Sequence, residues 1–194
     1  MSIEHLVQEV EEVYRGLDVE ISNFRQWSGL QCNVGCIKCC LKPDIEATAL
    51  EFLPLALKFY REGKAYEILE TLKQNEGSFC KMLDVEGGRC GMYAQRGMVC
   101  RLFGYTARVN KHGARELVTC STIKTGQAEK FQSAATQVAA GITVPVMSNY
   151  YMQLRAIDGE LGREFFPINK AIRKAIEMVL SYYAYREDAE AAAV

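Results

Sequence analysis

Hydrophobic positions at the start of the chain recur at three- and four-residue intervals: Ile3, Leu6, Val7, Val10, Val13, Tyr14, Leu17, Ile21 and Phe24. That spacing makes one apolar stripe on an α-helix, with Glu9, Glu11, Glu12 and Glu20 off the stripe. Ser2 stands where an N-cap belongs and Gly29 closes the run, so the pattern predicts a long helix over 1–28. After a turn signal at Pro43-Asp44, Thr48 followed by Glu51 has the form of a capping box. It predicts a helix to about Arg61, with Pro54 in its first turns. Ala65, Ile68, Leu69 and Leu72 continue past Gly63 as a second helix ending near 75.

The character then changes. From 79 to 120 helical periodicity disappears and glycines are frequent. Residues 106–110 and 114–120 flank Lys111-His112-Gly113 and read as a β-hairpin, with His112 exposed at its tip. Helical pattern returns over 127–140, closed by Gly141, and in a segment opened by Pro145 and running to about Ile157. A last helix, capped by Asn169, runs through Ile172, Ile176, Val179 and Tyr183. The fold class that follows is mainly α: helices packed around an irregular cysteine-rich centre with one small β-hairpin, in a single domain over 1–194. Its parts are the N-terminal helix over 1–28, the cysteine region over 32–120 and C-terminal helices over 126–190.

Composition narrows the function classes. With 194 residues, 49% of them hydrophobic and 24% charged, the chain supports one core. A formal charge of -1 supplies no basic field, so nucleic acid is not an expected partner. Residues 131–154 carry no charge, but Gln132, Gln137, Asn149 and Gln153 are scattered through them and Gly141 and Pro145 interrupt them. A buried pair of helices is expected there, and no membrane span. The first residues lack the basic and apolar regions of a secretory signal, which points to a cytoplasmic protein. In that compartment eight cysteines are expected to serve metal or redox chemistry and not four disulfides.

The cysteines are Cys32, Cys36, Cys39, Cys40, Cys80, Cys90, Cys100 and Cys120, four of them within Cys32-Asn33-Val34-Gly35-Cys36-Ile37-Lys38-Cys39-Cys40. Thiolates this closely spaced wrap one soft ion or one edge of a cluster without strain, and adjacent Cys39 and Cys40 tend to face different metals or different corners. All eight are candidate metal ligands, enough for two tetrathiolate sites or for one cluster with thiols to spare. His5, on the first helix, and His112 are not expected to ligate. Trp27 is expected as a core plug under the cysteine loop.

The spacing of Cys32, Cys36 and Cys39 is also that of radical S-adenosylmethionine enzymes. Lys38 replaces the aromatic those enzymes usually carry before the last cysteine, no β-α alternation follows, and Arg89 follows Gly87-Gly88 where an acidic residue belongs. Three blocks together resemble instead the YkgJ-like cysteine cluster family, zinc- or iron-chelating domains named for a C-x2-C-x2-C-C motif. Cys32 to Cys40 carries that motif with one extra residue in the first gap, and Phe79-Cys80-Lys81-Met82-Leu83 resembles the family's C-P-F-L block. The run from Cys90-Gly91-Met92-Tyr93 through Arg96 to Cys100-Arg101-Leu102-Phe103 resembles its C-x-I-Y-x-x-R-P-x-x-C-R-x-F block. The resemblance covers 32–120 and departs from the pattern at Lys81, Gly97 and Gly104.

What the resemblance implies is metal binding through the cysteines. Arg101, next to Cys100 as in the family block, is then expected to offset the negative charge of the sulfurs or to donate to them, with Arg96 an even choice between that and the surface. Tyr93 and Phe103 are expected to keep water from the site. The absence of histidine ligands and the abundance of thiols lean toward an iron-sulfur cluster or iron, with zinc as the alternative. Three functions remain open: electron transfer or metal handling, a zinc-stabilised module that binds another protein through 131–154, and a cluster-dependent enzyme similar to flagellin lysine N-methylases, for which no catalytic residues can be named.

Overall fold

The computed structural model describes residues 1–33, 35–74 and 79–191, and side chains of the last helix as far as 186. The predicted first helix is α1, Ile3–Ser28. The Ser2 side chain accepts from the His5 amide, and Gly29 ends the helix in the left-handed region at φ 66°, returning its N–H to the Arg25 carbonyl. Strand β1, Glu46–Thr48, leads into the Thr48–Glu51 capping box, in which each residue's amide donates to the other's side chain at 2.9 and 3.4 Å. The box opens a 3-10 turn, Leu50–Phe52, and α2, Leu53–Arg61, starts behind it with Pro54 in its first turn. Proline is tolerated there because first-turn amides have no intrahelical acceptor. Helix α3 is Ala65–Lys73; residue 75, near which its end was expected, lies outside the described residues.

The cysteine-rich centre is built of short pieces: β2, Leu83–Asp84, paired antiparallel with β3, Arg89–Cys90, and α4, Met98–Leu102. The predicted hairpin is β4, Thr106–Val109, with β5, Arg115–Val118. It is followed by α5, Ser121–Gly126, α6, Ala128–Ala139, and α7, Met147–Ile157. Strand β6, Phe165–Pro167, pairs back onto β1 and feeds α8, Ile168–Ala191. Helix α8 packs on α2 and α3, and α1 packs on α2, α4, α6 and α7, so the helices surround the centre. A single apolar cluster runs through them, with Leu53, Leu55, Ile172, Ile176 and Val179 at its heart. Among the described residues no helix is long and apolar enough to cross a membrane.

Three local expectations are corrected. Pro145 precedes α7 instead of opening it, because its carbonyl accepts from the Ala107 amide at 2.7 Å and from the Thr106 hydroxyl at 3.0 Å, which holds the stretch extended. Asn169 lies inside the first turn of α8 and does not cap it, since its amide is used elsewhere. The uncharged stretch over 131–154, which spans most of α6 and α7 and their connection, is not buried as a whole: Ala134, Val138, Tyr150 and Leu154 face the core, whereas Ile142, Met147 and Met152 are exposed. The reason is composition, because the polar residues between the apolar ones are uncharged and still prefer water.

Candidate metal centre

The cysteine loop leaves α1 at Gly29 and is tied down at once. Gln31 and Gln127 exchange two amide hydrogen bonds, 3.1 and 2.6 Å long, and the Cys32 amide donates to the Tyr105 hydroxyl at 2.7 Å. Two tight turns follow, closed by bonds from Cys36 N–H to the Asn33 carbonyl and from Cys40 N–H to the Ile37 carbonyl. They present thiols from successive turns to the same side. Gly35, at φ 73°, and Gly88, at φ 59°, come together where this loop meets the β2–β3 turn. Both conformations are ones that only glycine adopts without strain.

The second group of cysteines is positioned by the helical frame. The Cys80 amide donates to the Cys40 carbonyl at 3.0 Å. On either side of Cys80, the buried Asn169 side chain accepts from the Lys81 amide and donates to the Phe79 carbonyl. β-Pairing sets Cys90 opposite Leu83. The wholly buried Glu51 carboxylate accepts from the Val99 amide at 2.9 Å with one oxygen and from the Thr48 amide and hydroxyl with the other, which fixes the helix that carries Cys100. Gly97 has an ordinary φ of -63°, but a Cβ there would meet the Phe52 ring at 2.8 Å and Glu51 Oε2 at 3.2 Å. Packing space thus accounts for glycine where the family block has proline.

All eight cysteines line one cavity of about 320 Å³. Its inner wall is apolar, with Phe52, Leu55, Ile168 and Ile172, and Arg25, Lys38, Arg89 and Arg96 supply positive charge. Cys32 is exposed, Cys80 is buried and the others lie between. Sγ of Cys39 and Cys40 are 4.0 Å apart. The Cys40 thiol is shared with Cys39 and Cys90, which lowers both of those to about 6 and raises Cys40. The Arg96 charge acts on Cys39, Cys90 and Cys100 in the same downward sense, whereas burial pushes Cys100 well up and Cys80 to about 11. Among the described residues no three cysteine, histidine or acidic side chains converge as ligands of one ion; the thiols stand around the cavity wall.

The arginine expected at the sulfurs is engaged elsewhere. Arg101 is buried, with its guanidinium paired to Asp18, donating to the Arg96 and Ala94 carbonyls and lying 4.4 Å from the centre of the Tyr14 ring. It braces the turn ahead of α4 and is not among the residues lining the cavity, whereas Arg96 is. Arg96 sits 3.6 Å over the Tyr93 ring; Tyr93 and Phe103 both line the cavity, Tyr93 largely exposed. Trp27 is partly buried, edge-on to Phe24 at 5.1 Å. Sequence reasoning missed Glu51, Asn169, Tyr105 and Arg25 at the site. The first two were legible only as helix-terminus residues, and no spacing signal shows that a second carboxylate oxygen or an amide reaches another segment.

Residues 31–133 match the model of a family bearing the CxxCxxCC motif and described as a putative zinc- or iron-chelating domain. The match runs past Cys120, where the resemblance read from the sequence ends, through α5 and into α6. Those elements hold Cys120 and clamp Gln31, so they belong structurally with the cysteines. No curated protein and no solved structure gives a significant match.

Proposed function

Because the chain belongs to the CxxCxxCC family of zinc- or iron-chelating domains, we propose that its eight cysteines hold iron as an iron-sulfur cluster, in a protein that serves electron transfer or metal handling. The carrying observation is the cavity. A single tetrahedral ion uses four thiolates at about 2.3 Å. Here eight thiol-bearing residues surround a space of about 320 Å³, which suits a group of several atoms better than one ion. The donors are soft, as iron-sulfur ligation requires. When bound, such a group supplies one-electron redox chemistry at a potential tuned by charge and exposure. The chain's own residues have separate tasks: Phe52, Leu55, Ile168 and Ile172 exclude water, and Arg25, Lys38, Arg89 and Arg96 offset thiolate charge.

A zinc-stabilised protein-interaction module is the second reading. The Cys39–Cys40 sulfur separation of 4.0 Å favours it, being close to the edge of about 3.8 Å expected for a tetrahedron of thiolates around one ion. The exposed Met147 and Met152 of α7, with Ile142 in the connection before it, would then offer the docking side chains.

Anaerobic purification followed by iron, sulfide and zinc analysis, with a visible absorption spectrum, decides between them. Iron and acid-labile sulfide with a brown chromophore are expected. A colourless protein containing zinc and no sulfide would overturn the cluster reading.

A further inference from the structure

We propose that the mouth of the cysteine cavity is a docking surface for an acidic segment of a partner protein, which it engages through Arg25, Lys38, Arg89, Arg96 and Tyr93. The proposal rests on the metal-binding reading above and goes beyond it, since a protein that passes electrons or metal onward has to receive a partner where its site opens.

Every charged side chain among the described residues lining the cavity is basic. Arg25 comes from the last turn of α1, Lys38 from the cysteine loop, Arg89 from β3 and Arg96 from the turn ahead of α4, so four separate segments bring cations to one opening. This happens in a chain whose formal charge is -1. Arg25, Lys38 and Arg89 are exposed. Charge needed only to balance sulfur has no reason to stand in water, where salt screens it, whereas charge that steers an incoming partner has to stand there.

These cations are held without being neutralised. Among the described residues the only carboxylate paired to any of them is Asp84, 3.5 Å from Arg89. That pair lies in solvent, with 76% of the Arg89 side chain exposed. Such pairs hold little energy, so Arg89 can exchange Asp84 for an incoming carboxylate. Arg25 and Arg96 instead lie over rings, 5.6 Å from the centre of Tyr105 and 3.6 Å from that of Tyr93, and Arg96 Nε donates to the Tyr93 carbonyl. A ring face orients a guanidinium and leaves its charge available.

Apolar surface at the same opening fits a protein better than a free anion. Tyr93 is 61% exposed, and tyrosine and arginine are the side chains that dominate binding energy in protein interfaces. Leu41, directly after Cys40, and Val85, in the β2–β3 turn whose Gly88 lines the cavity, are exposed as well. Nucleic acid is the weaker fit, because binding it commonly engages about 6–10 phosphates, more than these cations could meet.

The test is binding of a fluorescent polyglutamate peptide to the anaerobically purified full chain, followed by fluorescence anisotropy at rising salt. Carbodiimide coupling, which joins carboxylates to lysine amines, then maps the contact by mass spectrometry. Saturable binding that weakens with salt is expected, with the coupled product at Lys38, the one lysine lining the cavity. Arg25→Gln combined with Lys38→Gln should weaken binding by about fivefold, while Lys111→Gln at the hairpin tip should leave it unchanged. Both cations of the double variant are exposed, and its circular dichroism should match the parent. Equal weakening by Lys111→Gln, coupling away from Lys38, or tighter binding of a thymidine oligonucleotide of equal charge would overturn the docking surface. Metal analysis of the same preparation separates the two readings. A metal-loaded chain that does not bind the peptide would overturn the docking surface alone, and absence of metal would overturn the reading it rests on as well.

Discussion

Helix α1 buries eight side chains along one stripe, whereas β2 and β3, which bring Cys90 into place, have two residues each, and α4, which carries Cys100, has five. The helical frame holds itself together by apolar burial at roughly 25 cal/mol per Å². The centre has few apolar residues of its own and borrows its geometry from polar groups that the frame pushes into it, Glu51 and Asn169 above all. The comparison teaches that a metal in this cavity would complete a partly organised region and not fold the whole chain. That differs from small zinc domains, which are unfolded without their ion.

The sharpest way to break this contrast is to remove a ligand. Cys90→Ser should sharply reduce metal binding in the cysteine cavity, the apparent energy of structural thiolate sites being on the order of 10 kcal/mol. Hydrogen exchange should then show lost protection over 79–103 and retained protection in α1 and α8. Equal loss in those helices would erase the distinction between frame and centre.

Injury to the frame should act in the opposite way. Leu53 is wholly buried, so Leu53→Ala should lower global stability by about 2–5 kcal/mol. Metal per folded chain should stay unchanged when measured below the new melting point.

A coupling between the two regions can be read from pH. Burial raises the Glu51 carboxyl from 4.5 to about 7, against the opposing hydrogen bonds from Thr48 and Val99. The folded state therefore keeps its proton where the unfolded chain has lost it. Stability from this group is full below pH 4.5, falls as pH rises toward 7 and stays low above that, by about 3 kcal/mol in total. Comparing urea unfolding of the parent and of Glu51→Gln across pH 4.5 to 7 isolates this contribution from Tyr14, Tyr151, Arg101 and Cys100 nearby, which both chains share. The variant should show the shallower fall, and identical slopes would mean that Glu51 does not titrate in this window.

The smallest expected effect belongs to Asn169→Ala, which strips both hydrogen bonds from the residues flanking Cys80. It should cost about 1–3 kcal/mol and speed metal release to a chelator, with the α8 circular dichroism signal intact.

Much of the frame was legible without the structure. The stripe from Ile3 to Phe24, the Ser2 and Gly29 caps, the Thr48–Glu51 box and the hairpin around His112 are local patterns, in which each residue's role depends on neighbours a few positions away. The site was legible as a set of residue types: eight thiols, seven of them in three blocks, and through those blocks the family. The partners of those thiols were not, because Arg101 and Arg96 differ only in which way the α4 turn directs them. It turns Arg101 toward Asp18 and Tyr14 and leaves Arg96 at the cavity.

The loop from Cys32 to Cys40 marks the boundary between the two kinds of knowledge. The sequence by itself determined that soft donors are concentrated there and that helices flank them, since composition and periodicity are properties of the chain. Only the tertiary structure decided that Cys120 lines the same cavity as Cys32, that Cys80 hangs from Cys40, and that Glu51 and Asn169 spend their hydrogen bonds on the cysteine segments. The bonds from Glu51 and Asn169 to those segments join residues 48 to 90 positions apart. No local rule reaches that far: such pairs form because a polar group buried with the helices must find its partners among whatever segments pack beside it.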